Sequence, residues 1–185
     1  MNFNKTPIKN MFSIELEPFQ DERGEFARSY CQREFEDAGI SASFKQTNIS
    51  RNPAKYTFRG FHFQLPPNGE SKLIRCETGR IFDVGIDMRP DSPSYLQWYG
   101  TTLTAEKGNM LFVPKGCAHA FLTLEPNTSV FYMATEFYSP NMERGIRHDD
   151  PFFNINWPVE REIISEKDNS WPNFDPHTHE QEWTE

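Results

Sequence analysis

The chain predicts an all-β domain of the sandwich or barrel type, on three observations. From about residue 11 to residue 158, short runs alternate apolar and polar side chains with a period of two. Gly, Pro, Asn and Asp interrupt those runs at the intervals usual for such folds. The chain also carries 17 Phe and is 15% aromatic, which suits a sheet interior filled by rings.

A length of 185 residues supports one well-cored domain, because division into two would leave each half a thin interior. Residues 1–185 are assigned to it, with a core over about 3–158 and a C-terminal segment over 159–185. The 19 Lys and Arg against 27 Asp and Glu leave a net charge of −8. That balance argues against nucleic acid or an anionic membrane as the partner, while a small anion can still be met where cations gather locally. No run approaches the roughly 20 apolar residues of a membrane span, and the N-terminus shows no apolar leader. Cys31, Cys76 and Cys117 are widely spaced, odd in number and form no CxxC pair. They are expected as buried free thiols in a cytoplasmic protein.

In chain order, a short helix is expected at "CQREFEDAG", closed by Gly39. Strands are expected at "ASFKQTNIS", "YTFRGFHFQ" and "SKLIRC", then in the alternating stretch from Ile81 to Met88, with "ETGR" before it supplying a hairpin turn. Further strands are expected at "QWYGTTLT", "NMLFVP", "AHAFLTL" and "SVFYMATEFY". The polar tail from Val159, with Pro172 and Pro176, reads as a short helix or loop followed by an extended, solvated end that includes His177 and His179.

The strand around "RGFHFQ" poses a parity problem. Strict alternation would put Arg59 and His62 on opposite faces. A bulge at Gly60 would add one residue and turn both into the same interior, so an irregularity is predicted there.

Gly108, Pro114, Gly116 and His119 in "GNMLFVPKGCAHAF" reproduce the second motif of the cupin superfamily, with Thr123 where its closing Asn is usual. Pro114 and Gly116 make a tight turn, after which His119 starts a strand with its ring inward. The resemblance implies a cupin-type double-stranded β-helix, a jelly-roll barrel, with a few short helices near the termini. Metal-binding cupins supply HxH and a Glu from the first motif. Here "HFQ" stands in that place, so His62 and His119 form an incomplete ligand set and no metal is expected.

The segments "DERGEFARSY", "FKQTNIS", "FRGFHFQ", "KLIRCETGRIFDVGIDMR", "SPSYLQW", "VPKGCAHAF", "FYSPNMERGIRHDDP", "INWP" and "ISEKD" together resemble the dTDP-4-dehydrorhamnose 3,5-epimerase family, from about Phe3 to Asp168. The resemblance implies a cofactor-free isomerase acting beside the C4 ketone of a nucleoside-diphosphate 4-keto-6-deoxyhexose. A hydrogen next to a ketone is acidified by enolate formation, so the reaction needs a base on one face of the ring and an acid on the other. By resemblance the base is His62, its carboxylate partner Asp168, the acid Tyr132 with Tyr138 as runner-up, and the group on the enolate oxygen Lys72. Arg23, Arg59, Lys72, Gln46, Asn48 and Phe26 are implied to hold the sugar nucleotide, with His119, Tyr138, Glu143 and Lys167 nearby. Arg23 and Phe26 are implied to act across a homodimer. Ala120 and His148 depart from residues common in the family without removing the implied base, acid or carboxylate, which leaves the sugar and base identity open. The alternatives are a mono-epimerase or ketoisomerase on another sugar nucleotide such as a CDP-linked one, or a silent sugar-nucleotide binder.

Overall fold

Each predicted strand has two faces to cover, and the chain covers them by passing back and forth between two antiparallel sheets. The computed structural model describes residues 1–184; Glu185, the last residue of the assigned tail, lies outside the described residues. One sheet has six strands, in spatial order β1 (Asn2–Lys5), β2 (Phe12–Glu15), β10 (Met110–Val113), β7 (Lys72–Thr78), β12 (Thr128–Ala134) and β5 (Gln46–Asn52). The other has five: β13 (Glu143–Gly145), β6 (Phe58–Gln64), β11 (Cys117–Thr123), β8 (Arg80–Asp87) and β9 (Trp98–Thr104). Successive strands change sheet from β5 to β8 and again from β9 to β13. This is the winding of a jelly roll, in agreement with the predicted class. A two-stranded ribbon joins β3 (Phe19–Asp21) to β4 (Gly24–Phe26), and three short helices are α1 (Gln32–Asp37), α2 (Glu166–Asn169) and α3 (Pro176–Thr184).

Three apolar layers explain the abundance of rings. Between the sheets lie Ile74, Ile81, Leu103, Leu111, Phe121 and Val130. Outside the six-stranded sheet, α1 inserts Phe35 against Phe3, Tyr30 and Phe112. Outside the five-stranded sheet, Phe58, Phe61, Phe82, Val84 and Ile86 are covered by Trp157 and, from the C-terminal segment, by Phe174 and Trp183. Each large apolar side chain so buried stabilises the fold by about 2 kcal/mol relative to exposure.

Local signals behaved largely as their chemistry predicts. Helix α1 ends at Gly39 in the left-handed region (φ +81°), where the Ile40 N–H returns to the Phe35 carbonyl. At "PKG" the Cys117 N–H closes on the Pro114 carbonyl and Gly116 has φ +80°, which turns the chain from β10 into β11. The irregularity predicted at Gly60 is present. His119 pairs with His62 and Phe121 with Arg59, so two steps on β11 match three on β6. Gly60 has φ +125° and its bond to Phe61 is cis.

Other expectations need correction. "ETGR" is not a hairpin: Gly79 (φ +73°) bends the chain, but β7 and β8 belong to different sheets. β7 already lies between β10 and β12, and β8 between β11 and β9, so both backbone edges of each strand are occupied. The strand from Ser129 stops at Ala134, short of Tyr138. Beyond it the Gln46 and Gln64 side chains accept the Tyr138 and Ser139 N–H groups, which peels this segment away from the sheet. The end of the tail is helical, not extended. Asp175 accepts the His177 and Thr178 N–H groups ahead of a first-turn Pro176, an N-terminal signature that was present in the sequence. His179 is correspondingly no solvated residue; it is 5% exposed and its Nε2 lies 2.6 Å from the Met88 carbonyl. Strands β1 to β4 and β13, each three or four residues long, escaped the sequence reading, since runs that short hold few alternations; β10, equally short, was read from its unbroken apolar run.

Candidate active site

The bulge at Gly60 is what assembles the cavity between the sheets. With the extra residue in β6, Arg59 and His62 both line a cavity of about 580 Å³ with Asn48, Lys72, His119, Tyr132, Lys167 and Asp168. It runs into a smaller recess of about 280 Å³ lined by Gln46, Gln64, Glu70, Tyr138 and Glu143, with Asn48, His62, Lys72 and Tyr132 at the junction of the two. The cationic side chains Arg51, Arg59 and Lys167 belong to the larger part, whereas the carboxylates Glu70 and Glu143 belong to the recess.

Asp168 reaches His62 because of a helix cap. In "SEKD" the Ser165 hydroxyl accepts the Asp168 N–H and starts α2. The Asp168 side chain does not return to the cap. One oxygen lies 2.7 Å from His62 Nε2 and the other accepts the Gly60 N–H at 3.3 Å. Burial works against its charge, but the imidazole beside it and the Gly60 N–H hold the carboxyl below the usual aspartate range. A carboxylate at Nε2 fixes the tautomer with the proton on that nitrogen, which leaves Nδ1 with a lone pair for base chemistry.

Lys72 makes a 2.9 Å ion pair with Glu70, both side chains being 12% exposed. Tyr132 has its phenol pKa raised, first by burial and then by the Glu70 charge, against a smaller opposing effect of Arg59. It therefore remains a proton donor at neutral pH. Arg59 is aimed by Asn52, whose side-chain oxygen accepts its Nε–H at 2.8 Å while the amide nitrogen donates to the Ser50 and Thr128 carbonyls. His119 lies 2.8 Å from the fully buried Asp83, whose second oxygen finds no hydrogen-bond partner among the described residues. Glu143 accepts the Tyr138 hydroxyl at 2.8 Å and is paired with Lys167. Burial opposes its charge, yet Lys167 and Tyr138 hold the carboxyl below its ordinary value.

The structure thus brings His62, Asp168, Lys72, Tyr132, Arg59, His119, Gln46, Asn48, Tyr138, Glu143 and Lys167 around one connected space. It does not bring Arg23 or Phe26 there. Both lie on the β3–β4 ribbon, where Arg23 is paired with Asp21 and Phe26 is 72% exposed. Sequence reasoning missed Asn52, Glu70 and Asp83. Asp83 was detectable: period two places it on the same face of β8 as Ile81 and Gly85, where an unmatched carboxylate calls for a partner. Among the described residues, no group of three or more His, Cys, Asp or Glu is placed to hold a metal ion.

A family sequence model described as dTDP-4-dehydrorhamnose 3,5-epimerase matches residues 5–176. The dTDP-4-dehydrorhamnose 3,5-epimerase of Shigella flexneri is 41% identical over 169 residues, which cover 91% of this chain and 93% of that protein. The crystal structure of the Bacillus anthracis enzyme of that name, with TDP and PPi bound, superposes with a TM-score of 0.90 at 39% identity, covering 94% of this chain and 99% of that one. A dTDP-6-deoxy-D-glucose-3,5-epimerase from Legionella pneumophila, in complex with dTDP-4-keto-L-rhamnose, gives 0.83 at 36% identity over 90% and 89% of the two chains. With its bulged strand, its jelly-roll frame and these matches over nearly its whole length, the chain belongs to the dTDP-4-dehydrorhamnose 3,5-epimerase family.

Proposed function

We propose that this protein epimerises a dTDP-linked 4-keto-6-deoxyhexose at C3 and C5 by removing and returning protons beside the ketone, without a cofactor. The observation that carries the reading is the larger cavity, where the His62–Asp168 pair, Lys72 and Tyr132 line one space.

In this reading Nδ1 of His62 takes the hydrogen from the carbon next to C4, and the electron pair left behind moves onto the C4 oxygen as an enolate. Asp168 stabilises the resulting imidazolium. Lys72 neutralises the enolate oxygen, a task in which one positioned donor contributes about 3 kcal/mol. Tyr132 delivers its proton from the opposite face, the enolate collapses to the ketone, and the carbon emerges inverted. Solvent then resets the phenolate and the imidazolium. C3 and C5 both flank C4, so one base and one enolate stabiliser serve both positions.

Arg59, His119 and Lys167 meet the diphosphate, while Gln46, Asn48, Tyr138 and Glu143 offer hydrogen bonds to the uncharged parts of the substrate. The exposed ribbon with Arg23 and Phe26 supports a homodimer in which each chain lends these two residues to the other's site. The whole chain acts as one domain, because its C-terminal segment supplies Asp168. Its free cysteines suit a cytoplasmic location, and among the described residues no helix is long and apolar enough to cross a membrane. The ligands named for the Bacillus and Legionella proteins favour a thymidine nucleotide over a cytidine one.

Incubation of dTDP-4-keto-6-deoxyglucose with the protein in heavy water, followed by NMR, tests the proposal. Deuterium enters both C3 and C5, and His62→Ala lowers the exchange on the order of 100-fold or more. Exchange at one carbon would make the protein a mono-epimerase, and undiminished exchange in the variant would remove His62 as the base.

A further inference from the structure

Glu70 is an odd residue for this cavity. A site for a doubly charged anion gains nothing in affinity from a carboxylate of its own, and burying one costs solvation. Yet Glu70 lies in the recess beside Tyr132 and Lys72, only 12% exposed. The segment that carries it is fixed on both sides. The Ser71 N–H bonds the Thr135 hydroxyl at 2.8 Å, the Ser71 carbonyl accepts the Thr135 N–H, and the Ser71 hydroxyl accepts the Lys115 N–H. The backbone next to Glu70 is therefore pinned, and of the two paired side chains the lysine has the longer and more flexible stem, so it is the one whose placement the pair chiefly restricts.

We infer that Glu70 is a positioning residue for the reaction, keeping the Lys72 ammonium at the reacting end of the cavity and so directing it to the oxygen on which negative charge develops. This rests on the function proposed above. Lys72 lines the larger cavity together with Asp168, the carboxylate that His62 needs. A lysine released from Glu70 would be free to turn toward that carboxylate or toward the substrate's phosphates, and would be misplaced for the enolate.

The two effects of Glu70 have opposite signs in kinetics, which makes the role testable. Its charge opposes an anionic substrate, so its removal should leave KM unchanged or lower. Its hold on Lys72 benefits the reaction only as the enolate forms, so its removal should lower kcat. The test is Glu70→Gln, which keeps the shape and removes the charge, with Glu70→Asp as the conservative variant. Both are compared with wild type for kcat and KM on dTDP-4-keto-6-deoxyglucose and for thermal stability. We expect kcat to fall about tenfold in Glu70→Gln, KM to stay or decrease, and Glu70→Asp to recover part of the loss. An unchanged kcat with a lower KM would reduce Glu70 to a bystander charge and overturn the inference, as would a kcat loss tracking a large drop in melting temperature. A wild-type protein that exchanges neither hydrogen would sink the underlying function and this role with it, whereas an active wild type with an unaffected Glu70→Gln sinks the role alone.

Discussion

His62 and Asp168, separated by 106 positions in the chain, are joined by a hydrogen bond of 2.7 Å. The bond ties strand β6 of the five-stranded sheet to a one-turn helix in the C-terminal segment, and the same carboxylate also holds the backbone of the bulge at Gly60. A base, its orienting group and the strand irregularity that aims it are thus one connected unit.

Asp168→Asn should keep the shape of this unit and lose its charge. Turnover falls on the order of 100-fold, and stability at neutral pH drops by about 2 kcal/mol. The native carboxyl is held below its ordinary value of 3.8, so its contribution is complete above that value and disappears as the pH falls through the depressed native one. Denaturation curves of both proteins from pH 7 downward should therefore converge in acid. A stability gap that persisted unchanged in strong acid would show that the charge is not its source.

Tyr132→Phe separates proton removal from proton return. The variant should still wash deuterium into the substrate while its yield of inverted product falls on the order of 100-fold. Because burial and Glu70 raise the phenol above its ordinary 10.0, loss of the donor sets in only on the alkaline side of that value. If Tyr138→Phe produced this phenotype and Tyr132→Phe did not, the acid would be reassigned.

Gly60→Ala should damage fold and function together. A Cβ there would lie 2.5 Å from the Ala120 Cβ and 2.6 Å from the His119 carbonyl oxygen, at a φ of +125°. The clash and the conformation together cost about 3 kcal/mol. Thermal denaturation should show the loss, and exchange should fall beyond what partial unfolding explains. A variant of native stability and activity would mean that the bulge does not need glycine.

Asn52→Ala removes the acceptor that aims Arg59. KM for the sugar nucleotide should rise about tenfold with kcat little changed, the pattern of lost ground-state binding. Steady-state kinetics with the double variant Asn52→Ala/Arg59→Ala provides the check, since the two effects should not add.

In the native protein a thiol reagent should modify Cys31 and spare the other two cysteines. Cys76 and Cys117 are each 4% exposed. Burial pushes Cys76 up to about 12 and raises Cys117 as well, which withholds the reactive thiolate. Rapid modification of two or three thiols without denaturant would contradict the burial.

Much of this is legible in the sequence. The alternation from Ile81 to Met88 separated two faces of β8 that prove to serve different layers, with Val84 and Ile86 under the C-terminal segment and Ile81 between the sheets. Parity alone required an extra residue between Arg59 and His62 if both were to face inward, and the bulge is there. The turn at Gly79 was legible as a bend but not as a change of sheet. A bend is set by local φ and ψ, whereas the strand's partner is decided by which edges other segments have already taken.

The sequence by itself determined the β-rich class, the helix end at Gly39, the bulge at Gly60, the turn at Gly116, and the residue types able to move a proton, because backbone conformation and side-chain chemistry are local properties. Only the tertiary structure decided which of those residues meet. Asp83 finds His119, Glu70 holds Lys72, Asn52 aims Arg59, and the C-terminal helix buries His179. Among these only Glu70 and Lys72 are close neighbours in sequence, and even there the bond depends on backbone anchored by Thr135 and Lys115. Such pairs are selected by the burial of charge, and burial exists only once the two sheets and their C-terminal cover have closed on one another.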